Sequence, residues 1–307
     1  MEEILKIAIL GAGAMGSLFA SILSEKNQVF LIDHRKEKVT RLNKEGIEVR
    51  ENNYETSTYK VPCLKYDEDM PIPDIIFVFV KAIKNLEAIG NISRLISKST
   101  ILVSLQNGYG NDKDLEKFQD KGHVVIGSTT HGATQTSYGK IFHAGSGMTY
   151  LGQNDFNEKS IEIVKKVLEE SGFDLKISQD IERLVIEKLF INIGINAITA
   201  LLDRENACIY KDDYTREMSR KLVYEACEIF NLEGFDFDKE KTFEKVLITA
   251  EKTGKNTSSM RADLLKGNET EIDKINKVIV DKARKQNKKS PYNEAISLLI
   301  KAKEGKL

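Results

Sequence analysis

Lys6-Ile-Ala-Ile-Leu10-Gly11-Ala12-Gly13-Ala14-Met15-Gly16-Ser17-Leu-Phe-Ala20-Ser-Ile22-Leu decides the fold. The apolar run Lys6–Leu10 reads as a strand, and it leads straight into three glycines. A helical pattern over Ser17–Glu25 follows, with Leu18, Ala20 and Ile22 on its apolar face. Gly11 permits a tight turn, Gly13 lets the backbone approach a pyrophosphate, and Gly16 lets helix and strand pack closely. Backbone amides at the helix N-terminus then meet the phosphates. The whole loop, with Ala12, Ala14 and Met15, is therefore the candidate cofactor cradle. An ordinary strand-to-helix turn can carry the same glycines. The context favours dinucleotide binding, because a second strand, Val29–Ile32, ends in Asp33, 22 residues after Gly11.

Asp33 bears on the choice of cofactor. A carboxylate at that strand end can accept bonds from the ribose hydroxyls of NAD, and it repels a 2′-phosphate. His34, Arg35 and Lys36 come next and could pair with that phosphate, or simply open a solvated helix. NAD and NADP both stay open.

Further strand patterns lie at Ile75–Val80, Thr100–Leu105 and His123–Gly127. Continuous apolar runs separated by helical segments predict a parallel sheet covered on both faces. The stretch Gly127–Gly152 suggests hairpins, with Tyr138-Gly139 and Ala144-Gly145 as punctuation. From about Glu182 the pattern changes to three long helical segments and a single proline, Pro291. A boundary at Ser178–Asp180, with Asp180 as helix cap, predicts a dinucleotide-binding domain over 1–179 and a helical substrate domain over 180–307. The fold class is α/β, a doubly wound sheet followed by an all-helical domain.

Composition excludes several functions. The chain has 307 residues, a soft prior of two domains. Lys plus Arg is 46 against 47 Asp plus Glu, so neither nucleic acid nor an anionic membrane has an electrostatic claim as partner. The longest aliphatic or aromatic run, Ile75–Val80, is six residues, against the ~20 needed to span a bilayer. The Met-Glu-Glu start lacks the marks of a signal peptide, and Cys63, Cys208 and Cys227 show no close pairing. The expectation is a cytoplasmic protein with reduced thiols and no metal site.

The most informative later segment is Lys188-Leu-Phe-Ile-Asn192-Ile-Gly-Ile-Asn196-Ala-Ile-Thr-Ala-Leu-Leu202. Lys188, Asn192 and Asn196 recur at spacing four, so they form a polar stripe about 12 Å long on an otherwise apolar helix. Burying an ammonium and two amides without partners costs several kcal/mol, so a ligand, water or neighbouring side chains must satisfy them. A half-buried Lys, its pKa lowered toward neutrality, suits protonation of a carbonyl oxygen as hydride reaches carbon. Glu271 and Asp273 are candidates to position it. They can equally be the charged start of a helix capped by Thr270.

Taken together the motifs resemble the ketopantoate reductases (2-dehydropantoate 2-reductases) over nearly the whole length. The glycine loop is shared with many dehydrogenases. Val80-Lys81-Ala82, Gln106-Asn107-Gly108, Thr130-His131-Gly132-Ala133 and His143-Ala144-Gly145 are more specific. Lys188-Leu189 with Asn192 and Asn196-Ala-Ile-Thr199-Ala200, then Ser258-Ser259-Met260 and Glu271-Ile272-Asp273, complete the set. The resemblance implies a Rossmann-type domain followed by a helical one, with the site in the cleft between them. It implies NADPH-dependent reduction of 2-dehydropantoate to pantoate, on the route to pantothenate and coenzyme A. By the same resemblance Lys188 is the proton donor, and Asn192, Asn196, Asn206 and Ser259 are substrate ligands. Asn107 touches both cofactor and substrate. Lys81, Ala133 and Glu271 lie on the cofactor side, and Glu271 also orients Lys188. The family's basic 2′-phosphate residue falls at His34 or Arg35, beside Asp33, which keeps NAD in play. Where the family often has Trp, two residues before the Lys, this chain has Ile186. A homodimer stays open.

Two rivals remain. One is a related NAD(P)-dependent reductase of another 2-keto acid; a phosphorylated substrate is disfavoured, because only Arg204 and Arg261 lie near the motifs. The other is a non-catalytic dinucleotide-binding sensor, which has no need of Lys188, Asn192, Asn196, Ser259 and Glu271 together.

Overall fold

The structure is a computed structural model that describes residues 4–305. The described residues divide into two compact units, the first comprising 4–106 and 110–182, the second 107–109 and 183–305.

The first unit is built from β1 (Lys6–Leu10), α1 (Ala14–Leu23), β2 (Gln28–Ile32), α2 (Lys36–Glu45), β3 (Ile47–Glu51), β4 (Thr56–Tyr59), β5 (Cys63–Leu64) and β6 (Ile75–Val78). Then come α3 (Asn85–Asn91), β7 (Ile101–Ser104), α4 (Asn111–Leu115), β8 (Val124–Thr129), β9 (Gly132–Ser137), β10 (Lys140–Gly145), β11 (Thr149–Gly152), α5 (Glu158–Glu170) and β12 (Leu175–Ser178). The main sheet runs β12-β11-β8-β7-β6-β1-β2-β5. Its strands from β5 to β8 are parallel, and β11 joins β8 antiparallel.

Both faces of this sheet are covered. Ile7 and Ile9 pack with Phe77 and Val103 on one side, while Ala8 and Leu10 pack with Ile76, Val78 and Leu102 on the other. Successive residues of a strand face opposite ways, so a strand buried on both sides must be apolar throughout.

The expected first helix starts earlier than Ser17, at Ala14, because the glycine loop already ends at Gly13, its N-cap. The strand expected over Ile75–Val80 stops at Val78. There the backbone of Phe79 and Val80 closes on Gly11, where an added Cβ would lie 2.7 Å from the Val80 nitrogen.

A second sheet, β4-β3-β10-β9, was only half expected. Tyr138-Gly139 is the β9–β10 turn, with Gly139 at φ +76°. Ala144-Gly145 is no turn, because both residues end β10. The hairpin of β3 and β4 lies in a stretch too polar to read as buried strand, and β4 is largely exposed.

The second unit contains α6 (Ile181–Leu202), α7 (Cys208–Lys211), α8 (Asp213–Asn231), α9 (Lys239–Lys252), α10 (Ser259–Leu265), α11 (Asn276–Lys285) and α12 (Pro291–Lys303). The first two residues of α6 group with the first unit. The sequence suggested three long helices; four have 13 residues or more, α6, α8, α9 and α12.

By length and composition α6 could cross a membrane, but 61% of its apolar window is buried inside the protein. It is a core helix, carrying Leu189, Phe190, Ile193 and Ala197 into one cluster with Val223, Phe230 and Val246. Gly194 permits this packing, since a Cβ there would meet Val246 at 2.7 Å.

Side chains cap the starts of α8, α9 and α10. Asp212 accepts from the Tyr214 and Thr215 amides, and Asp238 from the Lys241 amide at 2.9 Å. Pro291 opens α12, whose next two amides donate to the buried Glu225 carboxylate, each at 2.9 Å.

Candidate functional site

In the first unit the glycine loop is a shaped cradle. Gly11 has φ +106°, a conformation suited to glycine. A Cβ on Gly16 would lie 2.0 Å from the Gly11 carbonyl oxygen, so helix and strand touch there. At Gly13, by contrast, nothing among the described residues lies within 4 Å of where a Cβ would be. Gly13 caps α1 without a side-chain hydrogen bond. An uncapped helix start beside open space fits a pyrophosphate.

Asp33 directly follows β2 and is 3% exposed. Its Oδ1 accepts from the Arg35 amide and Nε, both at 3.0 Å, and its Oδ2 from Arg35 Nη2 at 2.9 Å. Lys38 Nζ, on α2, lies 3.3 Å from the same Oδ2. Although burial alone pushes the carboxyl up, these cations hold it down at about 2. Arg35 is raised by its bonds to Asp33, and the Lys38 ammonium is lowered by burial. His34 is exposed, 3.8 Å from Asp33. The sequence missed Lys38. The available signal was a lysine one turn before Leu42, on the apolar stripe of α2.

Lys81 is half-buried and opens a short 3-10 turn, Ala82–Lys84, just past β6. The preceding carbonyl is fixed: Gln106 Nε2 donates to Val80 O at 2.6 Å and to Asn85 Oδ1 at 2.8 Å. Ala133, half-buried in β9, pairs in register with His143. The two His-containing motifs meet in the small sheet. His143 Nδ1 lies 2.8 Å from Glu51 Oε2, and the His131 and His143 rings stack with their nitrogens 3.4 Å apart.

In the second unit α6 carries Lys188, Asn192 and Asn196 on one side. Asn196 Nδ2 donates to Asn192 Oδ1 at 3.4 Å and to Ser259 Oγ at 3.5 Å. Ser259 begins α10, and its neighbour Ser258 is that helix's N-cap. Lys188 is half-buried, and burial lowers its ammonium to about 8; the Glu271 carboxylate acts in the opposite direction.

Glu271 precedes a 3-10 turn, Ile272–Lys274, rather than a long helix. The residue at the N-cap of that turn is Glu271, not Thr270; one position earlier, Thr270 Oγ1 accepts from the Ile272 amide at 3.2 Å. Asn107 falls within the 107–109 segment of this unit. That segment is pinned to the Glu271 turn, since Tyr109 N donates to Lys274 O at 3.2 Å.

Asn206 is buried and separately bonded. Its Nδ2 donates to Thr253 Oγ1 at 3.0 Å, and its Oδ1 has no partner among the described residues. The structure thus gathers Lys188, Asn192, Asn196, Ser259 and Glu271, and turns the Asn206 amide toward Thr253.

The parallel order β5-β2-β1-β6-β7-β8, with a glycine loop after β1, defines a Rossmann-type fold, and together with the matches that follow it makes the chain an NAD(P)-linked oxidoreductase. The family model described as "Ketopantoate reductase PanE/ApbA" matches residues 7–155, and "Ketopantoate reductase PanE/ApbA C terminal" matches 180–304. The chain belongs to the ketopantoate reductase family.

It is 33% identical to the 2-dehydropantoate 2-reductase of Pyrococcus abyssi over 305 residues, covering 98% of each chain. It is 31% identical to that of Archaeoglobus fulgidus, covering 98% of this chain and 99% of the other. Among solved structures, a D-mandelate dehydrogenase with NADH and anilino(oxo)acetate matches with TM-score 0.93 and 30% identity, covering 98% of each chain.

Proposed function

We propose that this chain is a 2-dehydropantoate 2-reductase, reducing ketopantoate to (R)-pantoate in the cytoplasm, within pantothenate and coenzyme A synthesis. The observation that supports it most is Lys188. A half-buried ammonium at about 8, at the head of an amide stripe and under the influence of Glu271, is matched to proton donation near neutrality. The domain reading is a dinucleotide-binding part over 1–179 and a substrate part over 180–307.

NAD(P)H, when bound, supplies hydride to the substrate's C2. The loop Gly11 to Gly16, with Ala12, Ala14 and Met15, would hold its pyrophosphate. Asp33, His34 and Arg35 would face the adenosine ribose, and Lys81, Asn107, Ala133 and Glu271 would line the rest.

As charge develops on the carbonyl oxygen, Lys188 Nζ donates its proton to it. Glu271 keeps Lys188 charged before the step. Asn192, Asn196 and Ser259 are neutral donors and acceptors, able to hold a hydroxyl and a carboxylate. Asn206 Oδ1, buried and without a partner among the described residues, would be a further acceptor for a substrate hydroxyl. A phosphorylated substrate is disfavoured: Arg204 is paired with Asp212 at 3.2 Å and Arg261 with Asp203 at 2.8 Å.

A second reading, a reductase of aryl 2-keto acids, is favoured by the 30% identity to D-mandelate dehydrogenase. The test is a spectrophotometric assay with NADPH and NADH in parallel. Its substrates are ketopantoate, its deoxy analogue and phenylglyoxylate. A site built for a substrate hydroxyl leaves its amides unpaired without one, so kcat/KM for ketopantoate should exceed that for the deoxy analogue at least about 100-fold. A preference for phenylglyoxylate selects the second reading. No turnover of any 2-keto acid defeats both.

A further inference from the structure

Lys38, Val39 and Leu42 share one stripe of α2, and all three are buried. Lysine is rarely buried unless paired. The Lys38 side chain is 0% exposed, and its Nζ lies 3.3 Å from Asp33 Oδ2. It also reaches Gln135 Oε1 at 3.5 Å and lies over the Tyr138 ring, 5.5 Å from its centroid. Gln135 Nε2 in turn donates to Ala12 O at 3.3 Å. A polar chain therefore runs from the glycine loop through β9 to the end of β2.

Asp33 accepts three hydrogen bonds from Arg35 and lies 3.3 Å from Lys38 Nζ, while the exposed His34 stands further off at 3.8 Å. A carboxylate offers about four lone-pair sites, so all are engaged. A ribose group reaches Asp33 only if Arg35 swings away, and Arg35, 44% exposed, has the room to do so. Lys38 is closed off from solvent and stays.

With Arg35 turned to a ligand, Asp33 and Lys38 remain as a neutral pair, and a 2′-phosphate meets the guanidinium. Without Lys38 the same phosphate faces an uncompensated carboxylate. We propose that Lys38 is a positioning residue for cofactor selection. By neutralising Asp33 from inside the protein, it lets a strand end that carries an acid accept a 2′-phosphorylated dinucleotide as well as one with free ribose hydroxyls. This rests on the proposed function, in which the first unit holds a nicotinamide dinucleotide.

The test is calorimetric titration of the full chain with NADPH and with NADH, without substrate. Lys38→Met should weaken NADPH binding at least about 10-fold, equivalent to ~1.4 kcal/mol, and NADH binding less than about 3-fold. Asp33→Asn combined with Lys38→Met should return NADPH affinity to within about 3-fold of the parent, since both charges are gone.

If Lys38→Met alone does not fold, Asp33→Asn serves as the background. Removing Lys38 there should change NADPH affinity less than about 3-fold. Equal losses for both nucleotides, or no recovery in the double variant, overturn the role of Lys38. So does a loss of about 10-fold in the Asp33→Asn background. A parent that binds NADH alone also overturns it and leaves the dinucleotide reading standing. A parent that binds neither removes both.

Discussion

Thr199 Oγ1 and Ser258 Oγ lie 2.7 Å apart, both buried, and join α6 to the start of α10. Thr199 also bonds back to Ile195 O at 2.9 Å, and Ser258 accepts from the Arg261 amide at 3.2 Å. One hydroxyl pair thus sets where Ser259 stands relative to Asn196. Ser258→Ala removes both the cap and the inter-helix bond, so it should lower stability by about 1–2 kcal/mol. It should raise KM for the keto acid more than it lowers kcat. Denaturant unfolding and steady-state kinetics measure the two effects; an unchanged KM would detach Ser259 from substrate binding.

Lys188→Ala removes the proposed proton donor. The expected result is a kcat at least about 100-fold lower, the usual scale for a positioned acid, with cofactor affinity retained. Near-normal turnover in a folded variant takes Lys188 out of the chemistry.

The Lys188 ammonium, lowered from 10.5 to about 8 by burial, predicts a pH profile. Reduction needs the protonated form, so kcat should fall as pH rises through about 8. Glu271 raises this pKa, so Glu271→Gln should move the falling limb to lower pH. Stability responds with the opposite sign to activity. Between about 8 and 10.5 the unfolded chain holds a proton there that the folded chain has lost, so this group's contribution to stability rises with pH in that window. A profile that ignores Glu271→Gln would break the Lys188–Glu271 link.

Gly13 and Gly16 should fail in different ways. A Cβ at Gly16 would sit 2.0 Å from backbone, so Gly16→Ala should damage folding itself. A Cβ at Gly13 meets no described atom within 4 Å, so Gly13→Ala should melt like the parent yet lose dinucleotide affinity. Thermal melting beside NADPH titration separates them. Undiminished affinity in Gly13→Ala would mean that no phosphate approaches there.

The parallel sheet was legible in the sequence because β1, β6 and β7 are buried on both faces, which leaves unbroken apolar runs. The glycine loop was legible because backbone contact needs glycine at fixed spacing. The stripe of Lys188, Asn192 and Asn196 stood out as polar side chains on an apolar helix, a pattern set by helical period alone. The hairpin of β3 and β4 was not legible, since strands with exposed faces resemble loops.

Only the tertiary structure decided which partner each buried polar group takes. Lys38 was not singled out in the sequence; burial in the folded chain places its Nζ 3.3 Å from Asp33 Oδ2. Asn206 turned its amide to Thr253, 47 residues away in the chain. Thr199 found Ser258 across 59 residues. Periodicity reports which face of an element is buried; it carries no record of what a distant segment presents to that face, and that pairing decides which charges are neutralised and which atoms stay free to bind.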